Sequence, residues 1–200
     1  GRVEPAASVG GDFFDTFLTA DDRLFLCIGD VSGHGIGAAL LMARTIGLIR
    51  SLAMTATGPE AVLEQLNAFL CEGNDTCLFV TLFCGYLEPT RGTLTYSNAG
   101  HLPPMLIQDG ECKELPLPRG LLSGISPQAS YRSETVQLNR SDLLFAYTDG
   151  LSEAEDDKGR AFGIDPCRDL LIQRSQAPLP VILDGVRDAL TSFCGSGALE

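Results

Sequence analysis

Strand-like and helix-like segments follow one another in blocks along this chain, and that order restricts its architecture more than any other feature. Two apolar, aromatic-rich runs at 12–20 and 23–29, separated by Asp21-Asp22, predict a β-hairpin. A glycine-rich stretch, Gly29-Asp-Val-Ser-Gly-His-Gly-Ile-Gly37, leads into a helical pattern from about 36 to 55, which Gly58-Pro59 breaks. Pro59 occupies the favoured first position of a second helix that runs to about 71. Strand signals return at 77–88 and 93–97, joined by Pro89-Thr-Arg-Gly92. They recur at 105–108 and 112–115 around Asp109-Gly110, a hairpin-turn dipeptide. Strands at about 130–138 and 142–148 follow, then an acidic loop and helices near 165–174 and 179–193. Such an order is not the strict alternation of a parallel sheet. Antiparallel sheets with helices segregated to their outer faces fit it, so the predicted fold class is α+β, a layered sandwich.

At 200 residues the chain is long enough for one domain with a substantial core and short for two. It opens in mid-motif, as a domain excised from a larger protein would. A formal charge of −12 argues against a nucleic-acid partner and against contact with an anionic membrane surface. No uninterrupted apolar run of about 18 residues predicts a membrane span. The seven cysteines are odd in number, form no CxxC pair and sit partly in apolar runs. They read as buried free thiols in a reducing, cytoplasmic setting rather than as a zinc site or a disulfide framework.

Three aspartates share a local character. Asp12 opens a strand after Val9-Gly-Gly, Asp30 ends the apolar run Leu24–Gly29, and Asp149 ends the apolar run Leu143–Thr148. A carboxylate at the tip of a buried strand is costly unless something pairs with it. Each alone could be a turn or cap residue. Were all three on one rim, divalent cations would relieve their repulsion, and oxygen ligands suit Mg²⁺ or Mn²⁺. Spacing alone leaves their convergence open.

Four strings occur in order over nearly the whole chain: Val9-Gly-Gly-Asp-Phe-Phe-Asp15; Gly29-Asp-Val-Ser-Gly-His-Gly35 with Ala38-Ala-Leu-Leu-Met-Ala43; Asn98-Ala-Gly-His-Leu-Pro-Pro104; and Tyr147-Thr-Asp-Gly-Leu-Ser-Glu-Ala154. Together they resemble the motifs of the SpoIIE/RsbU branch of PPM-type, metal-dependent Ser/Thr protein phosphatases. The resemblance implies a four-layer αβ–βα sandwich of two antiparallel sheets flanked by helices, with two divalent cations, Mn²⁺ or Mg²⁺, held at one edge. Asp30 would bridge both cations, the Val31 carbonyl would be a backbone ligand, and Asp149 would bind one cation. Asp12 would bind directly or through water. The implied reaction is hydrolysis of a phosphoserine or phosphothreonine monoester by a metal-activated water. The implied substrate is a phosphorylated regulatory protein such as an anti-sigma-factor antagonist. A non-catalytic module of the same fold that binds such a partner is the second expectation. A nucleotide-binding regulator has only the glycine loop behind it, which lacks a P-loop lysine.

Other residues are set aside or left open. Ser32 and His34 adjoin Asp30 but do not form G-x-S-x-G, so a Ser-His-Asp triad is not expected. His34 as general acid is weighed against a role in fixing its loop, and His101 is read as structural. The helix at 36–55 carries only Arg44 and Arg50 as charges and is apolar or small nearly all round. Core and interface fit it equally from the residues. The resemblance, which makes the corresponding helices regulatory, favours an interface, with a homodimer as the expectation. The acidic run Glu153, Glu155, Asp156 and Asp157 is read as a solvated loop, with a substrate-selecting flap as the alternative. The family pattern ends in an Asp-Asp pair, whereas this chain stops at Gly195-Ser-Gly-Ala-Leu-Glu200. A single phosphatase domain over 1–200, trimmed at both ends and one acidic ligand short, is therefore expected.

Overall fold

The computed structural model describes residues 1–3, 10–74 and 77–195. Val9 of the first motif and the last five residues, on which the missing-ligand expectation turns, lie outside the described residues. The described chain forms two compact units. One comprises residues 10–101 and 117–138, the other 1–3, 102–116 and 139–195.

The larger unit is built on a five-stranded sheet, and every pairing in it is antiparallel. Its strands are β1 (Phe13–Leu18), β2 (Leu24–Val31), β3 (Val80–Glu88), β4 (Thr93–Ala99) and β7 (Ser133–Gln137), in the order β1-β2-β3-β4-β7. The first hairpin turns where predicted. Thr19 Oγ1 donates to Asp21 Oδ1 at 2.6 Å, and Asp22 takes the left-handed backbone (φ 62°) that short polar side chains tolerate. Between β2 and β3 the chain makes two helices, α1 (Ile36–Ala53) and α2 (Pro59–Cys71). In α2 the apolar positions Val62, Leu63, Leu66 and Leu70 recur at helical spacing, and all are buried.

Both helices pack on one face of the sheet, against Phe25, Cys27, Val31, Val80, Leu82, Cys84 and Tyr86. Each fully buried large side chain there contributes about 1.5–3 kcal/mol. Phe25 and Tyr86 meet edge to face at 5.1 Å, and the Tyr86 hydroxyl donates to the Ala53 carbonyl at 2.8 Å, fixing the end of α1. That buried hydroxyl, desolvated, has its pKa pushed up to about 12 and stays a donor.

The predicted strand at 77–88 starts only at Val80. Asn74 takes the ladder bonds of the preceding residues: its Oδ1 accepts from the Leu78 N–H, and its Nδ2 donates to the Leu78 and Gly124 carbonyls. The helix predicted at 36–55 ends at Ala53, and the structure divides its surface into two faces. Ala38, Thr45, Ile49, Leu52 and Ala53 are buried, while Ile36, Leu40 and Met54 point outward at 77%, 67% and 48% exposure. By length and composition α1 could cross a membrane, yet one whole face of it belongs to the core of this unit.

The smaller unit has a three-stranded antiparallel sheet, β6-β5-β8, from β5 (Met105–Gln108), β6 (Glu111–Glu114) and β8 (Leu143–Phe145). Asp109 (φ 53°) and Gly110 (φ 80°) make the turn between β5 and β6, as their sequence predicts. Helices α4 (Asp165–Arg174) and α5 (Leu179–Cys194) complete a core of Met105, Ile107, Phe145, Cys167, Leu171, Ile182 and Val186. The strand predicted at 142–148 is shorter, because Asp149–Ser152 forms a one-turn helix, α3. In the acidic run Glu153, Glu155 and Asp157 are exposed, as a solvated loop would have them, whereas Asp156 is tied back onto the chain. Asp156 accepts from the N–H groups of Lys158 and Arg160 and from Arg160 Nε, and Glu155 pairs with Ala161 to close the turn. Those bonds, led by the one from Arg160, hold the Asp156 carboxyl below the usual range.

All seven cysteines are free, as expected, but only Cys27, Cys84, Cys167 and Cys194 are buried; Cys71 and Cys112 are half-buried and Cys77 is exposed. The two faces of α1 make a direct test. Ile49→Ala should destabilise the protein by about 2–5 kcal/mol in urea unfolding, and Leu40→Ala by no more than about 0.5 kcal/mol.

Candidate metal centre

Asp12 and Asp30 belong to the larger unit, Asp149 to the smaller. Asp30 is not beyond the end of its strand, as the apolar run suggested. The β2–β3 ladder continues through it, pairing Asp30 with Thr81 and Val31 with Val80. Ser32 extends the same pairing. Its N–H donates to the Phe79 carbonyl at 2.9 Å, and its hydroxyl accepts from the Phe79 N–H at 2.8 Å. Ser32 thereby continues the pairing one residue beyond the end of β2. His34 is exposed on the loop that follows.

The β1–β2 register brings Asp12 to Asp30. Phe13 lies opposite Gly29, and the Val31 N–H donates to the Gly11 carbonyl at 3.3 Å, so Asp12 lies opposite Asp30. Side chains directly opposite in an antiparallel pair share a face. Their carboxylate oxygens approach within 4.8 Å. At an effective dielectric of about 20, that separation costs roughly 3 kcal/mol of repulsion.

The backbone is shaped for this approach. A Cβ on Gly11 would lie 2.5 Å from the Val31 carbonyl oxygen and 2.8 Å from Asp30 Oδ1, so only glycine leaves the space open. A Cβ on Gly29 would meet the Thr81 carbonyl at 2.5 Å. The donors gathered here are all oxygens: two carboxylates and, beside Gly11, the Val31 carbonyl. Such a set fits a hard divalent cation.

Asp149 is the first residue of α3 and is exposed. Its carbonyl accepts from the Glu153 N–H at 2.7 Å, fixing the single turn that carries the carboxylate.

Two polar features near these residues escaped sequence reasoning. Asp15, in the first motif, accepts from Arg50 Nε and Nη2 at 2.6 and 2.8 Å, tying the end of α1 to β1. His101 is buried, and its Nδ1 lies 2.9 Å from Thr81 Oγ1, beside Asp30. The Asp15–Arg50 pair was legible only as two unconnected charges 35 positions apart.

Comparison with known proteins bears on this arrangement. Residues 20–200 match the family described as Stage II sporulation protein E (SpoIIE). The chain is 31% identical over 191 residues to protein IcfG of Synechocystis sp., covering 80% of this chain and 30% of that protein. It is 30% identical over 157 residues to phosphoserine phosphatase RsbU of Bacillus subtilis, covering 78% of this chain and 46% of that one. The chain thus spans less than half the length of these relatives.

Among solved structures, the SiaA-PP2C domain of Pseudomonas aeruginosa superposes with a TM-score of 0.84 at 24% identity, covering 98% of this chain and 79% of that one. The RsbU and RsbW domains of Rv1364c from Mycobacterium tuberculosis give 0.80 at 29% identity, covering 94% and 52%. RsbX in complex with magnesium gives 0.68 at 21% identity, covering 94% and 82%. The fold is that of these PP2C-type domains, α+β with two antiparallel sheets, as the sequence predicts.

The opposed carboxylates carry a measurable consequence. With cations removed by chelator at pH 7, Asp12→Asn should stabilise the larger unit by about 1–3 kcal/mol in urea unfolding, by relieving repulsion. A lowered midpoint would contradict the confrontation of Asp12 and Asp30.

Proposed function

The chain belongs to the SpoIIE family, and on that premise we propose that it is a metal-dependent protein phosphatase acting on phosphoserine or phosphothreonine monoesters. The observation that carries this is the pair of carboxylates, Asp12 and Asp30, set opposite each other around a glycine-lined space with the Val31 carbonyl beside it. Asp12, Asp30, Val31 and Asp149 would hold two divalent cations, Mn²⁺ or Mg²⁺. RsbX, of the same fold, is a magnesium complex. When bound, the cation pair supplies charge neutralisation for the phosphoryl group and an acidified water as nucleophile.

The rest of the chemistry follows from this chain's own residues. Asp30, held in the ladder by β1 on one side and β3 on the other, keeps its carboxylate fixed while substrate binds and leaves. The water oxygen forms a bond to phosphorus as it gives up a proton, the bond from phosphorus to the serine or threonine oxygen breaks, and that oxygen takes up one proton in exchange, releasing the free hydroxyl and inorganic phosphate. No side chain is esterified on the way, which agrees with the structural engagement of Ser32. A net charge of −12 does not bar a phosphate ester, because the local field it meets is that of the cations.

The substrate is a phosphorylated regulatory protein of a partner-switching system. The relative RsbU, a phosphoserine phosphatase, and the RsbU–RsbW domain pair of Rv1364c support that class. The seven free thiols support a reducing, cytoplasmic compartment. All 200 residues act as one catalytic domain of a larger sensor or regulator. The outward face of α1, with Ile36, Leu40 and Met54, is the surface on which a second copy would dock.

Two measurements test these proposals. Hydrolysis of p-nitrophenyl phosphate and of a phosphoserine protein should require Mn²⁺ or Mg²⁺, and Asp30→Asn should lower turnover by more than about 10²-fold, exceeding the loss typical of an outer-sphere residue. Turnover in EDTA, or unchanged turnover in the variant, would refute the mechanism. Binding of the phosphoprotein without hydrolysis would favour the partner-binding module instead. Light scattering over a dilution series should show a dimer that Leu40→Glu dissociates, whereas monomer throughout removes the self-docking role of α1.

A further inference from the structure

The polar row that contains Asp12 and Asp30 does not stop at the carboxylates. Thr81 lies opposite Asp30 on β3, so Asp12, Asp30 and Thr81 are consecutive side chains across three strands on one face of the sheet. Ile28 and Phe83 continue that face, away from α1 and α2. On β4, Ala99 pairs with Leu82, so the position facing Thr81 would be Gly100. There the chain leaves the sheet through a left-handed glycine (φ 72°), and a side chain would collide with Leu122. The next residue, His101, turns its ring back toward β3. Its Nδ1 reaches Thr81 Oγ1 at 2.9 Å.

Asn98 locks this turn from both sides. Its Oδ1 accepts from the His101 N–H and its Nδ2 donates to the His101 carbonyl, each at 3.2 Å. Asn98 and His101 are 5% and 6% exposed. Burying a histidine and an amide this deeply is costly, and a satisfied network of this kind specifies one geometry. A hydroxyl has a single proton to give. If Nδ1–H donates to Thr81 Oγ1, that proton is free for the neighbouring carboxylate; if Nδ1 accepts, it is spent on the ring.

We infer that His101 and Thr81 are positioning residues of the metal centre: His101 donates through Nδ1 to Thr81, which turns its hydroxyl proton toward Asp30 and fixes the carboxylate for the cation. The Asn98–His101 segment is then an outer support of the site rather than a turn that only ends a strand. This rests on the metal-dependent role proposed above for Asp30.

The test is Mn²⁺ affinity, measured by calorimetry on the 200-residue chain without substrate. Thr81→Val keeps shape and removes the hydroxyl, and should raise the dissociation constant by about 10–100-fold. Thr81→Ser restores the hydroxyl and should stay within about threefold of the parent. His101→Leu should match the loss of Thr81→Val, and His101→Asn, which offers a donor near the Nδ1 position, should recover part of it. Because the two residues act in series, the double variant should lose no more than either single one. A purely structural role would lower the melting temperature of the metal-free protein without this pattern in Mn²⁺ affinity.

Unchanged Mn²⁺ affinity in Thr81→Val or in His101→Leu overturns the inference, and so does additive loss in the double variant. Asp30→Asn separates the two levels. If it abolishes Mn²⁺ binding while Thr81→Val does not, only the positioning role falls. If the parent chain binds no Mn²⁺, the metal-dependent function falls with it.

Discussion

Two like charges are held opposite each other by backbone pairing, and most of the local structure of the larger unit serves to keep them there. The β1–β2 register fixes Asp12 against Asp30, and the β2–β3 register gives Asp30 no freedom on its other side. Glycines stand where any side chain would push the strands or the carboxylate apart. A sheet face that could hold another apolar pair instead holds repulsion of a few kcal/mol, comparable to a substantial fraction of a small domain's net stability. Departures of this kind from local consistency are expected at functional sites, with compensation elsewhere. Here the compensation is the apolar layer on the opposite face, where α1 and α2 bury against β2 and β3.

The hairpins and the helix starts were legible because single residues dictate them. Asp109-Gly110 requires left-handed backbone and takes it, and Pro59 opens α2 where its ring is preorganised. The carboxylates were legible as chemistry through their motifs, but their mutual placement was not. No periodicity links position 12 to position 30. The link appears once the hairpin register is known, since opposing residue numbers across β1 and β2 keep a constant sum. Asp149 reads as the end of a strand because Leu143–Thr148 is mostly apolar, yet the chain leaves the ladder after Phe145 and turns into α3. The acidic run after it reads as solvated and is so at Glu153, Glu155 and Asp157, but sequence does not reveal that Asp156 folds back onto the N–H groups of Lys158 and Arg160.

The helix over residues 36–53 shows a different limit of sequence. An all-apolar surface gives no amphipathic stripe, so neither face announces itself. The structure separates them through Ile49 and Leu52 on one side and Ile36 and Leu40 on the other. Arg50, exposed along much of its length, then does what no apolar residue on that helix does. Its two hydrogen bonds to Asp15 and its approach to the Phe17 ring at 5.1 Å tie α1 to the strand that follows Asp12.

The path of the chain through its two units has a consequence for biosynthesis. Four of the five strands of the larger unit, with both of its helices, are complete by Ala99. The smaller unit is begun by Met105 and Ile107, but their burial waits for Phe145, Leu171, Ile182 and Val186. On a ribosome adding about 5–20 residues per second, the roughly 80 residues between Met105 and Val186 take on the order of 4–16 s to appear. During that interval the first hairpin of the smaller unit carries an apolar face with nothing yet made to cover it. The most vulnerable moment for aggregation thus falls after the larger unit has most of its sheet and before α5 emerges.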